Sequence, residues 1–302
     1  MKGFRFKRIL LVFLGVAAAL VVAALASVWM ALRASLPQLD GEATLAGLSA
    51  PATLERDAAG IPVIRAATRE DLARATGFAH AQDRLFQMDM LRRTGAGELA
   101  ALLGPGLLDA DRHIRPHQFR RRAREALAAL GPGDRGLLDA YAEGVNAGIA
   151  SLGARPFEYL LLGQSPAPWA PEDSALVIFA MWIDLQGLDD AEEQQRGRLA
   201  AVLPDVAYRF LVDPDPANEA ALDGSRLPEP PLPLPADYDL RRLDRALFER
   251  LEIDAAPARQ AALKAGSNNW AVAGTRARDG GALLANDMHL GLRVPNIWYR
   301  AR

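Results

Sequence analysis

The sequence predicts an α+β protein behind a single membrane-length helix, and three observations carry that expectation. An uncharged stretch runs from Ile9 to Leu32. Apolar residues recur every three or four positions through much of residues 68–186. Two short alternating runs, each folded around a turn-forming cluster, stand at residues 52–66 and 267–286. At 302 residues the chain is long enough to bury a sizeable core. Half of it is apolar and 24% is charged, with 35 Lys and Arg against 37 Asp and Glu. That balance argues against a disordered chain and against a protein that coats nucleic acid. The lack of Cys removes disulfides, thiol nucleophiles and Cys-based zinc sites together.

Lys2, Arg5, Lys7 and Arg8 precede the apolar stretch, which as a helix at about 1.5 Å per residue reaches about 36 Å. Positive charge before the span and none within it places the amino terminus in the cytoplasm and the soluble part outside, in a periplasm-like space. An uncleaved anchor is the first reading. A cleaved signal peptide ending near Ala24-Leu-Ala26 is the second, and a buried soluble helix the third.

Residues 52–66 read as a β-hairpin about Asp57-Ala-Ala-Gly60. Thr68 followed by Asp71 resembles a capping box, and Leu72, Ala75, Phe78, Ala81, Leu85 and Met88 continue it as a long amphipathic helix. After breaks at Gly95, Gly97 and Gly104-Pro105, helices are predicted over Gln118–Leu130, Asp134–Leu152 and Glu172–Gln186. The run Leu227-Pro-Glu-Pro-Pro-Leu-Pro-Leu-Pro235 lacks regular backbone donors and marks an extended boundary. A charged helical pattern follows over Leu240–Lys264, and a second hairpin then turns at Arg278-Asp-Gly-Gly281. The resulting organisation is an anchor or signal segment over 1–35, a helical region over 36–225, a spacer over 226–266, and the start of a β region over 267–302.

The sequence has no GxGxxG before a helix, no P-loop, no HExxH and no GxSxG. His113 and His117 have the i, i+4 spacing of some metal pairs, but Pro116 between them breaks a regular helix. Folding the second hairpin about its turn sets Ser267 opposite Leu290–Leu292 and brings His289 close to it. A serine beside a histidine is a candidate nucleophile and base. A Gly-Ser-Asn turn entering a strand accounts for the same residues, with Asn268 and Asn269 serving only the turn.

Six motifs stand in order along the chain: Gly60-Ile-Pro-Val-Ile-Arg-Ala66, Gly77-Phe-Ala-His-Ala-Gln-Asp-Arg-Leu-Phe-Gln-Met-Asp89, Arg92-Arg93, Gly97-Glu-Leu99, Gly266-Ser-Asn-Asn-Trp-Ala-Val272 and Asn286-Asp-Met-His-Leu290. Together they resemble the penicillin acylase family of N-terminal-nucleophile hydrolases. The resemblance implies an αββα sandwich wrapped by a helical α chain, of which this sequence holds the α chain and the first β-chain hairpin. It further implies a precursor that cuts itself between Gly266 and Ser267, yielding an α/β heterodimer. Ser267 then serves as nucleophile and, through its α-amine, as base in the hydrolysis of acyl amides. His289 would support that amine, and histidine there resembles cephalosporin- and lactone-type members. Asn269 and Trp270 would organise the site, or simply pack the strand. By the same resemblance Met181, Trp182 and Leu185 line an acyl pocket, and Glu193, with Glu192 second, contributes to a structural calcium site. Both groups also read plainly, as an apolar helix stripe and a solvated acidic run within Leu188-Asp-Asp-Ala-Glu-Glu-Gln194.

An acyl-homoserine-lactone or lipopeptide acylase is the competing enzyme, and a membrane-tethered binding module without the chemistry is the non-enzyme alternative. The apolar, uncapped ending Val294-Pro-Asn-Ile-Trp-Tyr-Arg-Ala-Arg302 leads to the expectation that the chain stops inside a domain.

Overall fold

The computed structural model describes residues 2–186, 191–212, 223–226, 231–235, 239, 246 and 266–302; side chains are described from Leu11 on, apart from those of residues 186, 191 and 192. Two units result, one of residues 1–186 with 290–302 and the other of residues 187–289.

The first unit begins with helix α1 (Lys2–Ala34). Its Leu11–Ala34 portion has a mean hydropathy of 2.7 over a window and is long and apolar enough to cross a bilayer. Its carboxy-terminal end is tied down where Ala154 N–H donates to the Ala34 carbonyl at 3.0 Å. Strands β1 (Thr53–Arg56) and β2 (Pro62–Arg65) then pair antiparallel, Leu54 opposite Ile64. The turn between them forms because Asp57 Oδ1 accepts from the Ala59 and Ile61 amides, while Gly60 takes a φ of 75° that favours glycine.

Helix α2 (Arg69–Ala96) starts where Thr68 Oγ1 accepts from Asp71 N–H at 3.1 Å and stops at Gly97, whose φ is 67°. Only half of the expected capping box forms. The Asp71 carboxylate turns instead to Ser49, accepting from its amide at 2.9 Å and from its hydroxyl, and these bonds hold it below the usual carboxylate range. Short helices α3 (Ala100–Leu103) and α4 (Leu108–Ile114) follow, then α5 (Phe119–Ala128), α6 (Pro132–Ser151), α7 (Phe157–Leu162) and α8 (Pro171–Gln186). Helices α5, α6 and α8 each start and end within two residues of the sequence expectation. The His113/His117 stretch breaks at Pro116 as expected: α4 ends at Ile114 and a 3₁₀ turn covers Arg115–His117.

Helix α2 is the axis of this unit, packed on one side by α6 and on another by α8. Small residues set the approach. A Cβ at Gly144 would stand 1.9 Å from the Arg74 carbonyl oxygen, one at Gly77 2.2 Å from the Tyr141 oxygen, and one at Gly95 2.4 Å from the Leu176 oxygen. The helices therefore meet backbone to backbone, and Ala81, Met88, Ala142, Val145 and Trp169 close the core around that line.

Charge is buried in the same unit. Asp89 accepts from Arg92 Nε and Arg93 Nε, both at 2.8 Å, and from the Tyr159 hydroxyl at 2.7 Å. Arg92 also reaches Asp173 at 2.6 Å, and Arg120 bridges Asp173 at 2.9 Å to Glu98 at 2.7 Å. Four helices are thereby joined by groups that satisfy one another, the condition under which buried charge is tolerated. Burial opposes the charge on Arg92, yet Asp173 and Asp89 outweigh it and leave the guanidinium more firmly protonated than usual.

The second unit contains α9 (Ala191–Val202), α10 (Asp205–Val212), β3 (Gly266–Val272) and β4 (Leu283–His289). Strands β3 and β4 pair antiparallel from Gly266 opposite His289 to Val272 opposite Leu283. The expected hairpin forms with a different register: Ser267 faces Met288, not Leu290–Leu292. The connection is broader than the tight turn assumed from the sequence. A 3₁₀ turn at Gly274–Arg276 lies on its β3 side, which moves the centre of pairing toward the amino terminus. The expected spacer (226–266) and the helix over Leu240–Lys264 fall almost wholly outside the described residues.

Candidate functional site

Ser267 is the second residue of β3, and its side chain is exposed. Strand alternation puts it on one face with Asn269, Met288 and Asn286, while Gly266, Asn268, Trp270, Asp287 and His289 occupy the other. His289 therefore does not meet the Ser267 hydroxyl. Its Nε2 lies 3.1 Å from Asn268 Nδ2 and 3.1 Å from Asp287 Oδ2. The hairpin brings Gly266 and His289 together as a backbone pair, one step from the Ser267 amide. Trp270 is on the His289 face and 53% exposed.

Met181, Trp182 and Leu185 stand on the last turns of α8. Trp182 sets its ring edge against Phe119 at 5.9 Å, and Phe119 stacks on Phe179 at 4.6 Å, so part of the stripe packs against α5. Trp182 and Leu185 nonetheless remain 46% and 41% exposed. Glu193 lies exposed on α9; the side chain of Glu192 and residues 187–190 lie outside the described residues. Among the described residues no three His, Asp or Glu converge on one point. A calcium ion takes about six to eight oxygen ligands, so the described residues do not by themselves build its site.

A polar cluster that sequence reasoning did not single out sits on α2. Arg56 donates from Nη1 and Nη2 to the Asp83 carboxylate at 3.0 and 2.8 Å, and the Tyr299 hydroxyl donates to Asp83 Oδ2 at 2.5 Å. The Tyr299 ring meets His80 edge-on at 4.4 Å, and His80 Nδ1 lies 2.8 Å from the Tyr141 hydroxyl. Burial pushes His80 down to about 4, which keeps it neutral near pH 7, and burial with the Asp83 bond raises the Tyr299 phenol. These aromatic groups line a cavity of ≈ 480 Å³ whose walls include Leu91, Leu138 and Ile297. The signal was present in the quoted Gly77–Asp89 motif, which carries both His80 and Asp83. Their partners lie 27 to 219 residues away, beyond the reach of local patterning.

Sequence relationships agree with these motifs. Residues 51–302 match the penicillin amidase family, and the chain belongs to it. It is 37% identical over 284 residues to the penicillin acylase 2 proenzyme of Pseudomonas sp. (strain SE83), a match that covers 89% of this chain and 34% of that protein. The acyl-homoserine lactone acylase QuiP of Pseudomonas aeruginosa is 33% identical over 275 residues, covering 87% and 30% respectively. A solved structure of a thermostable penicillin G acylase from Alcaligenes faecalis aligns with a TM-score of 0.49 and 26% identity, over 57% of this chain and 96% of that one. The chain spans about a third of the length of the curated relatives it matches.

Proposed function

We propose that this chain is part of a self-processing serine amidohydrolase that cleaves acyl amides, with Ser267 as nucleophile. The observation that carries the reading is the Gly266-Ser267 junction at the start of β3 in a member of the penicillin amidase family. In the precursor the Ser267 Oγ attacks the Gly266 carbonyl carbon, its proton passes to the departing amide nitrogen, and an ester replaces the peptide bond. Water then hydrolyses the ester, releasing a Gly266 carboxylate and a free Ser267 α-amine. Glycine leaves that peptide without a side chain on its carbonyl side. The new amine has an ordinary pKa of about 7.7–8.0, so one residue supplies both hydroxyl and base. Attack on an acyl amide then forms an ester with the enzyme, the amine product leaves with the serine proton, and water frees the acid.

The Gly266 pairing with His289 supports a role for the imidazole: cleavage removes the residue opposite His289 and leaves the Ser267 amine beside it. Asn269 shares the nucleophile's face and Trp270 the histidine's, positions suited to organising the two sides. The exposed part of the Met181, Trp182 and Leu185 stripe suits an acyl group. We assign to the complete protein the αββα sandwich, with β3 and β4 among its strands, and an α/β heterodimer of the two products. Glu193, with Glu192 as second choice, would offer one oxygen to a structural calcium ion, and no catalytic step passes through it. Helix α1, anchor or export signal, would place the remainder outside the cytoplasm. The likeness to the acyl-homoserine lactone acylase favours a second substrate class on the same chemistry.

Intact-mass measurement and amino-terminal sequencing of the full-length gene product test the proposal. A product chain beginning at Ser267 in the wild type, and its loss in Ser267→Ala, is the expected result. A wild-type chain that folds and stays uncut refutes it.

A further inference from the structure

Residues 290–302 belong to the same unit as residues 1–186, although the intervening residues 187–289 form another. Several kinds of contact seat them. Arg302 N–H donates to the Pro62 carbonyl at 2.9 Å and Ile64 N–H to the Arg302 carbonyl at 2.7 Å, the bonding pattern of a strand added parallel to β2. Arg84 Nη1 and Gln87 Nε2 both donate to the Asn296 carbonyl, at 3.0 and 3.1 Å. Arg293 pairs with Asp184 at 3.0 Å. The most specific contact is the Tyr299 hydroxyl on Asp83, whose side chain is only 20% exposed and is fixed from the far side by both terminal nitrogens of Arg56. We infer that Asp83 is a latch that holds the carboxy-terminal product on the helical unit through Tyr299 once the Gly266–Ser267 bond is cut.

The inference rests on the self-processing reading, since a latch between products needs two products. Its chemistry is that of a pre-positioned acceptor. Arg56 from β1 and Asp83 from α2 are joined within the amino-terminal product, so the carboxylate is already oriented when Tyr299 arrives. Asp83 and the edge of β2 would then recognise one hydroxyl and one extended backbone, side by side. The mode is strand addition with a side-chain anchor, here used between two pieces of one precursor. The exposed Arg293–Asp184 pair adds little, being half open to water on both sides.

The test uses the full-length gene product carrying Tyr299→Phe, Asp83→Asn, or both. Cleavage is read by intact mass, and separation of the two products by size exclusion across a urea series. Tyr299→Phe keeps the ring on His80 and removes only the hydroxyl. The expected result is normal cleavage, a dissociation constant between products raised about tenfold, as for a hydrogen bond to a charged group, and a double variant no weaker than Asp83→Asn alone. Products of Tyr299→Phe that separate at the wild-type urea concentration overturn the latch and leave self-processing standing. Full additivity of the two substitutions also overturns it. An uncut wild type removes both ideas together. Should Asp83→Asn fail to fold, Tyr299→Phe alone decides.

Discussion

The line where α2 meets α6 makes a sharp demand on one atom. In Gly144→Ala the new methyl carbon would stand 1.9 Å from the Arg74 carbonyl oxygen and 2.7 Å from its carbon. Real Cβ atoms essentially never approach closer than 3.0 Å, so the two backbones must part by about 1 Å. Backbone cannot rotate aside as a side chain does, and the movement opens the core that Ala81, Val145, Ala142 and Met88 fill. Overpacking of this kind costs about 1–3 kcal/mol, against which the better helix propensity of alanine returns up to about 1 kcal/mol. The control lies on the same helix: a Cβ at Gly136 would find nothing within 4 Å. Gly136→Ala should therefore gain stability by up to about 1 kcal/mol while Gly144→Ala loses it. Urea unfolding of the two variants beside the wild type is the assay. A Gly144→Ala midpoint equal to or above that of Gly136→Ala would refute the backbone-contact argument.

The buried charges and His80 give two further expectations. Asp173→Ala strips a partner from Arg92 and Arg120 and leaves the Ala170 amide without its acceptor, a loss of about 3–5 kcal/mol in urea unfolding. A loss under about 1 kcal/mol would mean that water or another carboxylate takes over. Because burial lowers His80 from 6.5 to about 4, the unfolded chain takes up this proton first. Stability from this group is thus unaffected above pH 6.5 and falls as the pH drops toward 4, by about 3 kcal/mol in all. His80→Gln should flatten that part of an acid-unfolding curve, and an unchanged slope would contradict the assignment.

Much of the local structure was legible because it is enforced locally. Thr68 and Gly97 begin and end α2 through groups within four residues of the helix end, and Asp57 and Gly60 shape the first turn by themselves. The nucleophile candidate rests on a continuous motif, Gly266-Ser-Asn-Asn-Trp270. The geometry around it was not. A shift of pairing by a residue or more cannot be read from alternation when both faces of a strand carry mixed residues, and β3 alternates Ser267 and Asn269 with Asn268 and Trp270. The register came out differently, and His289 lies on the face opposite the Ser267 hydroxyl.

The sequence by itself determined the apolar α1, the helical middle and the two hairpins, because each depends on dihedral preferences and periodicities spanning a few residues. Tertiary structure alone decided which glycines of α2 and α6 are contact points, which aspartates are buried, and that Tyr299 closes on Asp83. Those outcomes turn on groups brought together across tens to hundreds of residues, 69 between Arg74 and Glu143 and 216 between Asp83 and Tyr299. A buried carboxylate and a solvated one are the same letter until the chain has folded and the partner has arrived, since only desolvation and pairing distinguish them.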